Sequence, residues 1–325
     1  MVTKLCNALI DIFYMHCWVP GSVLLKNIDL IHFPANIIPI FSPCLSVVTI
    51  HDMMFVRYPE SYDPDYLKFA NLFFPLSARR ADKIITISEF SKKDIVRFCR
   101  VAEEKVEVVY LGVEPEFFQV DANSASAFVS SQYGIGQKPY VFFAGEFGPR
   151  KNLENLIRAI AQLKVMPKCK EIELVLVGER RATGYLSYLE ILIEELGLTG
   201  DVRWLDFVPR AHLRYLLKSA RLSAYVSLCE GFGLPIIEAM ACGTPVVCSN
   251  ASSMPEIAGN AAVIVDPREV DQIADGIFSL LTQPELAAEF VARGKRRALH
   301  FTWENTAVKT IEIYKSLYSA HVKKI

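Results

Sequence analysis

The sequence lacks the residue patterns that most often bind metal ions and dinucleotides. Its eight cysteines include no Cys-x2-Cys pair, its six histidines include no pair four positions apart, and no Asp-x-Asp follows a predicted strand. It also has no Walker loop and no Gly-x-Gly-x-x-Gly fingerprint. We therefore expect no metal site and no bound dinucleotide.

The chain also lacks an excess of charge and a long uninterrupted hydrophobic run. Its formal net charge of -1 gives no general electrostatic attraction to nucleic acid. The apolar segment 5–25 is interrupted by Asp11, His16 and Pro20, so it falls short of the roughly 20 residues that a membrane span needs. The cysteines are scattered singly through apolar runs, as is typical of buried reduced thiols. These features favour a cytoplasmic protein, and a positive mean hydropathy of +0.25 leaves peripheral contact with the inner face of a membrane open.

A length of 325 residues predicts two compact domains. Short apolar runs alternate with longer amphipathic ones, which is typical of α/β units around parallel sheets buried on both faces. We predict strands at residues 29–33, 46–50, 83–87, 106–110, 140–144, 172–177, 202–207, 222–226, 245–248 and 262–265, and helices at 65–80, 89–98, 153–163, 186–196 and 211–218. A stretch rich in Ser, Ala, Asn and Gln at 120–138 marks a change of unit. We therefore expect Rossmann-like domains over 1–120 and 121–302, with a closing segment over 303–325, and ligands outside the carboxyl ends of the strands in the cleft between the domains.

The segment Glu230–Pro245, EGFGLPIIEAMACGTP, has the composition of a ligand site. Gly231 and Gly233 allow a tight turn and a close approach of the backbone to a ligand, and Pro235 suits the first turn of a helix. The free N–H groups of such a helix N-terminus favour phosphate. Glu238, about one turn later, can accept hydrogen bonds from sugar hydroxyls. Taken alone, however, two glutamates around a glycine turn are more often the solvated acids of a core helix.

Charged or titratable side chains follow two other predicted strands. Arg150 and Lys151 come after the strand at 140–144 and before a helix, where both cations can meet phosphate oxygens, although such a pair is usually a solvated surface feature. VTIHD, residues 48–52, places His51 at the carboxyl end of a buried strand, where it either makes a structural hydrogen bond or faces a ligand. His32, in the DLIHF strand, is more often structural.

The signature at 230–245, with its continuation VVCSNASSMPEIAGNAAVIVDP, closely resembles the donor-binding signature of retaining GT-B glycosyltransferases of family four. The resemblance implies a GT-B fold in which two Rossmann-like domains face a cleft. In that family, the glutamate matched by Glu238 binds the ribose of a nucleotide sugar. The glutamate matched by Glu230 lies beside the transferred sugar, and the residues matched by Phe232, Gly233 and Leu234 wrap the sugar and the diphosphate.

The same resemblance gives roles to the other candidate residues. The turn GPRKN is similar to the Pro-Arg-Lys-Asn turn of mannosyltransferase-like members, in which the pair matched by Arg150 and Lys151 faces the donor diphosphate. The family more widely has an arginine where this chain has Glu146. The histidine matched by His51 faces the transferred sugar and serves in positioning and charge stabilisation.

Four further positions line the site in the family. The residues matched by Ser88 and Glu89 lie on the same side of the cleft as the histidine. The turns LVGE and DFVP, which contain Gly178 and Val208, match turns near the nucleobase without specifying the base.

The function that this resemblance implies is hexose transfer with retention of configuration. The donor would be a nucleotide sugar, GDP-mannose first and a UDP-sugar next, and the acceptor a glycan or a lipid-linked glycan. No metal or other cofactor is expected beside this co-substrate. The closing segment 303–325 would form a helix that packs back on the first domain.

Two further expectations follow from a comparison of this sequence with the family's usual first domain. Several β-α elements that begin the family's first domain have no counterpart before residue 29, so we expect an incomplete first domain whose exposed apolar surface promotes oligomers. The alternative function, from another class, is a catalytically weak or inactive nucleotide-binding remnant that acts as an interaction module. Hydrolysis or phosphorolysis is a third possibility.

Overall fold

A computed structural model describes residues 14–179 and 184–323 of the chain. These residues form two compact units. Unit one contains the described residues up to Tyr110 and those from Glu304 onward, and unit two contains the described residues from Leu111 to Trp303. Each unit is built on one parallel sheet with helices, so the predicted α/β class is confirmed.

Strands and helices are numbered along the whole chain. The strands are β1 (Leu30–Phe33), β2 (Leu45–Thr49), β3 (Lys83–Thr86), β4 (Val106–Val108), β5 (Tyr140–Ala144), β6 (Glu173–Val177), β7 (Val202–Leu205), β8 (Leu222–Tyr225), β9 (Val246–Ser249) and β10 (Val263–Val265). The α-helices are α1 (Val19–Leu25), α2 (Met54–Arg57), α3 (Pro64–Arg80), α4 (Glu89–Cys99), α5 (Ala122–Tyr133), α6 (Leu153–Lys164), α7 (Gly184–Glu195), α8 (Arg210–Ser219), α9 (Leu234–Cys242), α10 (Met254–Ala258), α11 (Val270–Thr282), α12 (Pro284–Ala298) and α13 (Trp303–Val322).

Unit one has a four-stranded parallel sheet in the order β1-β2-β3-β4, and apolar clusters lie on both of its faces. Val48 belongs to the cluster that contains Phe74 of α3, whereas its neighbour Val47 belongs to the cluster against which Leu317 of α13 packs. Successive strand residues point to opposite faces, so a strand covered on both sides must be apolar along its length. This explains why the inner strands are continuous apolar runs in the sequence.

The helix starts of unit one follow the local signals in the sequence. Ser88 Oγ accepts a hydrogen bond from the backbone N–H of Ser91 at 3.0 Å, so the predicted N-cap of α4 is confirmed. At α3, the Asp63 carboxylate accepts hydrogen bonds from the N–H groups of Asp65 and Tyr66 at 2.9 and 3.2 Å. Both caps satisfy N–H groups that have no partner inside the helix.

Unit two has a six-stranded parallel sheet in the order β10-β9-β8-β5-β6-β7. The strand order reverses between β5 and β8, because β6 and β7 lie on one side of β5 and β8 to β10 on the other. A reversal of this kind leaves a crevice at the carboxyl ends of the two central strands, where ligands of parallel sheets bind. The strand order therefore predicts a ligand site at the chain segments that follow β5 and β8.

Four helices of unit two, α5, α10, α11 and α12, were not predicted from the sequence. Helix α5 occupies most of the segment 120–138, and the Asp121 carboxylate caps it by accepting a hydrogen bond from Ser124 N–H at 2.8 Å. Its small buried residues Ala125 and Val129 let it pack closely on α8. Only a narrow face of this helix is buried, so the segment is mostly polar. Its sequence therefore shows no clear helical pattern of apolar residues.

No helix within residues 14–179 and 184–323 is both long and apolar enough to cross a membrane. The seven cysteines in the same part of the chain have free thiols, and five of them are buried. Cys6 and the beginning of the apolar segment 5–25 lie outside the described residues.

Candidate functional site

Glu230 is the centre of a charged cluster at the carboxyl ends of β5 and β8. Its Oε1 accepts a hydrogen bond from Lys151 Nζ at 2.7 Å, and its Oε2 accepts one from Arg150 Nη1 at 3.1 Å. Arg150 Nη1 also donates to the carbonyl oxygen of Cys229 at 2.7 Å. Ser227 Oγ donates to Glu230 Oε1 at 2.7 Å. The structure thus brings together three residues that the sequence analysis found in two separate motifs.

Asn152 fixes the loop that presents the two cations. The loop forms a 3-10 turn over Pro149–Lys151 and ends at Asn152, whose φ is +57°. The Asn152 Nδ2 group donates to the carbonyl oxygens of Val226 at 2.9 Å and Pro267 at 2.6 Å. Asparagine adopts the left-handed region more readily than most residues, which explains its place at the end of the GPRKN turn. The loop after β5 is thereby tied to the segment after β8.

The cluster carries a net positive charge although its acid is largely buried. The side chains of Arg150, Lys151 and Glu230 are 10%, 13% and 14% exposed. Burial acts to raise the pKa of the Glu230 carboxyl, but Lys151, Arg150 and the Ser227 hydroxyl outweigh it, so the pKa is lowered overall. Glu230 is therefore ionised, and two cations face one anion. Such a cluster can attract a diphosphate while its own carboxylate holds the cations in position.

The turn after Glu230 leads directly into helix α9. Gly233 has a φ of +101° and immediately precedes the helix, a conformation that favours glycine. Ser253 Oγ lies 2.8 Å from the carbonyl oxygen of Glu230 and 2.9 Å from that of Phe232, and Glu230 N–H donates to Ser252 Oγ at 2.8 Å. The sequence analysis did not single out these serines, although they lie in the continuation of the signature. They hold the turn that carries Phe232 and opens the helix.

Glu238 lies on α9 and is paired with Arg210. Arg210 Nη2 donates to Glu238 Oε1 at 2.7 Å, and the same guanidinium donates to both carboxylate oxygens of Glu114 at 2.8 and 2.7 Å. Glu238 is 4% exposed. Burial raises the pKa of its carboxyl, and Arg210 offsets part of that shift. The sequence analysis missed Arg210 and Glu114, which are 96 positions apart and belong to no recognisable motif.

Gly178 and Val208 line one cavity of about 660 Å³ at the carboxyl ends of β5, β6 and β7. A Cβ added at Gly178 would lie 2.0 Å from the carbonyl oxygen of Gly145, so the close approach of the two backbones excludes any side chain there. Phe207, at the edge of the same cavity, is 86% exposed. The two turns that were predicted to lie near a nucleobase therefore meet at a single cavity.

His51 follows β2 in unit one and is exposed. Its backbone N–H donates to Asn36 Oδ1 at 3.3 Å, and its carbonyl oxygen accepts a hydrogen bond from Thr86 Oγ1 at 3.1 Å. Asp52 Oδ1 accepts a hydrogen bond from Met54 N–H at 2.9 Å, which holds the start of α2. Backbone contacts thus fix the position of the His51 loop.

His32 and Ser88, two other polar residues of unit one, make hydrogen bonds that stabilise the fold. His32 is hydrogen-bonded through both ring nitrogens, from Nδ1 to Tyr314 OH at 2.5 Å and from Nε2 to Thr49 Oγ1 at 2.8 Å, and burial lowers its pKa. This agrees with the structural role predicted for it. Ser88 is fully buried as the cap of α4, while its neighbour Glu89 is exposed.

Within residues 14–179 and 184–323, no group of three or more His, Cys, Asp and Glu side chains could hold a metal ion. The positive groups at the carboxyl ends of β5 and β8 include Arg150, Lys151 and the N-terminus of α9. Together these groups can bind a phosphate-containing ligand and stabilise negative charge that develops on it.

Two family models match the sequence. Glycosyl transferases group 1 matches residues 127–297, more than half of the chain, and Glycosyltransferase Family 4 matches residues 11–117. The chain belongs to the glycosyl transferases group 1 family. The predicted family is thereby confirmed, and so is the GT-B type of fold, which similar solved structures share.

Individual relatives include bacterial mannosyltransferases. The O-antigen chain mannosyltransferase B of Escherichia coli is 34% identical over 273 residues, which cover 84% of this chain and 70% of that protein. The MMP alpha-(1->4)-mannosyltransferase of Mycolicibacterium hassiacum is 33% identical over 241 residues, which cover 73% of this chain and 54% of that protein. HepE of Anabaena, solved in complex with UDP, has a TM-score of 0.75 at 23% identity, over 92% of this chain and 81% of that chain. This chain thus spans about half to seven tenths of the length of these two mannosyltransferases.

Proposed function

We propose that this chain transfers a hexose from a nucleotide-sugar donor to a glycan or lipid-linked acceptor with retention of configuration. The observation that carries the proposal is the cluster of Arg150, Lys151 and Glu230 at the point where the strand order of the unit-two sheet reverses. Membership of the family supports glycosyl transfer as the reaction class. The two mannosyltransferase relatives favour mannose, so GDP-mannose is the first donor to test and UDP-sugars come next.

Each part of the donor has candidate contacts in unit two. The diphosphate would meet Arg150, Lys151 and the N–H groups at Gly233 and Leu234. The ribose hydroxyls would bind the carboxylate of Glu238. The nucleobase would occupy the cavity lined by Gly178 and Val208, and Phe232 and Glu230 would lie beside the transferred sugar.

The chemistry then requires stabilisation of the departing nucleoside diphosphate. As the bond from the sugar anomeric carbon to the phosphate oxygen breaks, negative charge grows on the diphosphate. Each charge-assisted hydrogen bond from Arg150 or Lys151 to that charge contributes about 1.5 to 3 kcal/mol. In this mechanism the acceptor oxygen bonds to the anomeric carbon on the face that the diphosphate leaves, and a phosphate oxygen takes the acceptor proton. No side-chain nucleophile is needed, and His51 would position the transferred sugar.

The test is a donor screen with the full chain. GDP-mannose, UDP-glucose and UDP-N-acetylglucosamine are incubated with and without glycan acceptors, and release of nucleoside diphosphate and transfer are followed in EDTA and in manganese. The proposal expects turnover of one donor in EDTA, and a proton NMR spectrum that shows the product retaining the anomeric configuration of the donor. Inversion, or activity that EDTA abolishes and manganese restores, would contradict it.

A binding module would behave differently in the same screen. Calorimetric titration with GDP and UDP would show binding without turnover of any donor, and the chain would then be a nucleotide-binding remnant.

The acceptor side of the proposal concerns unit one. Several large apolar side chains are exposed there, among them Trp18, Leu25, Ile40, Phe41 and Leu72. We expect them to support oligomers or contact at the inner face of a membrane, in the cytoplasm. Sedimentation of the chain with and without vesicles of anionic lipid separates these two outcomes.

A further inference from the structure

Arg210 lies between two carboxylates in unit two. It is the first residue of α8, and its Nε and Nη2 groups both donate to Glu114 Oε1, at 3.1 and 2.8 Å. Nη2 also lies 2.7 Å from Glu114 Oε2 and 2.7 Å from Glu238 Oε1. The ring of Phe117 lies 5.6 Å from the guanidinium carbon. Contacts from three directions therefore define the position of the guanidinium.

Glu238 depends on this guanidinium more than an ordinary surface acid would. Its side chain is 6% exposed, and Arg210 occupies only one of its two carboxylate oxygens. Within the residues that the structure describes, Oε2 of Glu238 has no hydrogen-bond partner. A buried carboxylate with one cationic partner loses most of its support for ionisation when that cation is removed.

The other groups near Glu238 do not replace Arg210. The titratable groups that interact with its carboxyl are Arg210 on α8, Glu114 before α5, Tyr225 on β8 and Cys242 on α9. Of these four, only Arg210 is cationic. Glu114 acts against ionisation of Glu238 through its like charge, although it also anchors the guanidinium.

We propose that Arg210 is a positioning residue for Glu238: held by Glu114, it keeps Glu238 ionised and oriented so that Oε2 accepts hydrogen bonds from ribose hydroxyls. The inference rests on the proposed function for the identity of the ligand as a nucleoside diphosphate. It adds to that function a residue outside the recognised motifs, and it gives the ion pair a purpose other than folding.

A purely structural role for Arg210 is the competing explanation. The side chains of Arg210 and Glu114 are 49% and 33% exposed, and ion pairs this accessible contribute only about 0 to 1 kcal/mol to folding. The other partner, Glu238, is buried but can bind a proton once its cation is gone, so Arg210→Met should lose some stability and remain folded, which thermal unfolding checks. Arg158→Met is a matched control, because Arg158 pairs with Glu154 at similar exposures of 41% and 36% on α6.

The experiment compares ligands that differ only in the ribose. GDP and 2′,3′-dideoxy-GDP are titrated into the wild-type chain, Arg210→Met and Arg158→Met by calorimetry, with UDP and its dideoxy form in parallel. We expect Arg210→Met to bind the diphosphate about tenfold more weakly and the dideoxy form with little change. Arg158→Met should match the wild type with every ligand.

A pH series tests the role of Arg210, because a purely structural role would not make the ratio of diphosphate to dideoxy affinity depend on pH. Without Arg210, the effect of burial, which raises the pKa of Glu238, is no longer offset, so a larger share of this carboxyl is protonated and the ratio of diphosphate to dideoxy affinity should recover in Arg210→Met as the pH rises. Phosphate ionisation affects both ligands equally and cancels in the ratio. Arg210→Lys retains the charge but loses the forked geometry, so it should lie between the wild type and Arg210→Met.

The outcomes separate the inference from the function on which it rests. Equal loss for both ligands in Arg210→Met, or a ratio that stays flat with pH, overturns the role of Arg210 while leaving nucleotide binding intact. If neither GDP nor UDP binds the wild-type chain, the proposed donor site fails and the inference fails with it.

Discussion

Lys151 Nζ lies 2.7 Å from Glu230 Oε1, although 79 positions separate the two residues in the chain. The pair joins the loop after β5 to the turn before α9, and Arg150 makes the same connection at Oε2. Glu230 is therefore both a candidate sugar-side residue and the counter-charge that holds two phosphate-side cations. Removing any one of the three changes the environment of the other two, so their variants are best compared on ligands of different charge.

Glu230→Gln should separate the structural role of this acid from its electrostatic one. The substitution removes the carboxylate that pairs with Arg150 and Lys151, two mostly buried cations, so the free energy of unfolding should fall by about 3 kcal/mol. GDP affinity should stay the same or rise, since the site becomes more positive. Urea unfolding and calorimetry measure the two effects, with Glu154→Gln as the control, because Glu154 is only half-buried in its pair with Arg158. Weaker GDP binding at unchanged stability would show that Glu230 contacts the ligand directly.

Lys151→Ala should weaken binding of GDP about tenfold while leaving guanosine binding nearly unchanged, because the lysine acts on phosphate charge. Lys164→Ala is the control, because Lys164 forms a comparably buried ion pair with Asp201 at 2.6 Å elsewhere in unit two. Arg150→Ala should act in the same direction with an added loss of stability, since Arg150 is more deeply placed. Equal losses for nucleoside and diphosphate would mean that the basic pair is structural.

Glu238→Gln keeps the shape of the side chain but replaces a charged acceptor with a neutral amide. We expect weaker binding of GDP and unchanged binding of 2′,3′-dideoxy-GDP, because only the ribose hydroxyls lose an acceptor. The exposed Glu285 on α12, changed to Gln, serves as the control. A well-folded Glu238→Gln protein with wild-type GDP affinity would remove Glu238 from the site.

Gly178→Ala should destabilise unit two by about 2 kcal/mol or more, since its Cβ would overlap the Gly145 carbonyl oxygen and force the two backbones apart. Gly200→Ala is a matched control, because a Cβ at the exposed Gly200 meets nothing within 4 Å. Urea unfolding compares the two variants. A Gly178→Ala chain as stable as Gly200→Ala would show that the turns after β5 and β6 can separate at little cost.

His32 predicts a pH dependence of stability in unit one. Burial lowers its pKa in the folded state below the ordinary value of 6.5, so the unfolded state binds the proton more readily. The stabilisation by neutral His32 is therefore complete above pH 6.5 and is lost as the pH falls through the lowered folded-state pKa. Urea unfolding between pH 7.5 and 5 should show a steeper loss for the wild type than for His32→Gln. Identical slopes would contradict this assignment.

The elements that could be predicted from the sequence are those set by local patterns. Strand β5 has the predicted bounds, and the starts of α4 and α6 are correct, because apolar runs and, at α4, the capping residue Ser88 act over a few neighbouring positions. Helix α5 was missed because its buried residues are few and small. The family signature also identified the residues that lie at the carboxyl ends of β5 and β8.

The pairing of those residues could not be predicted, because it depends on which strands become neighbours. The sequence determined by itself the α/β class, the Ser88 cap of α4, the glycine turn before α9 and the family. Only the tertiary structure decided that β8 lies beside β5, so that Glu230 meets Arg150 and Lys151, and that Arg210 bridges Glu114 and Glu238. The physical reason is that these contacts join residues 28 to 96 positions apart. No local pattern encodes such a distance, and the contacts form only when packing of the whole sheet offsets the chain entropy lost in closing those loops.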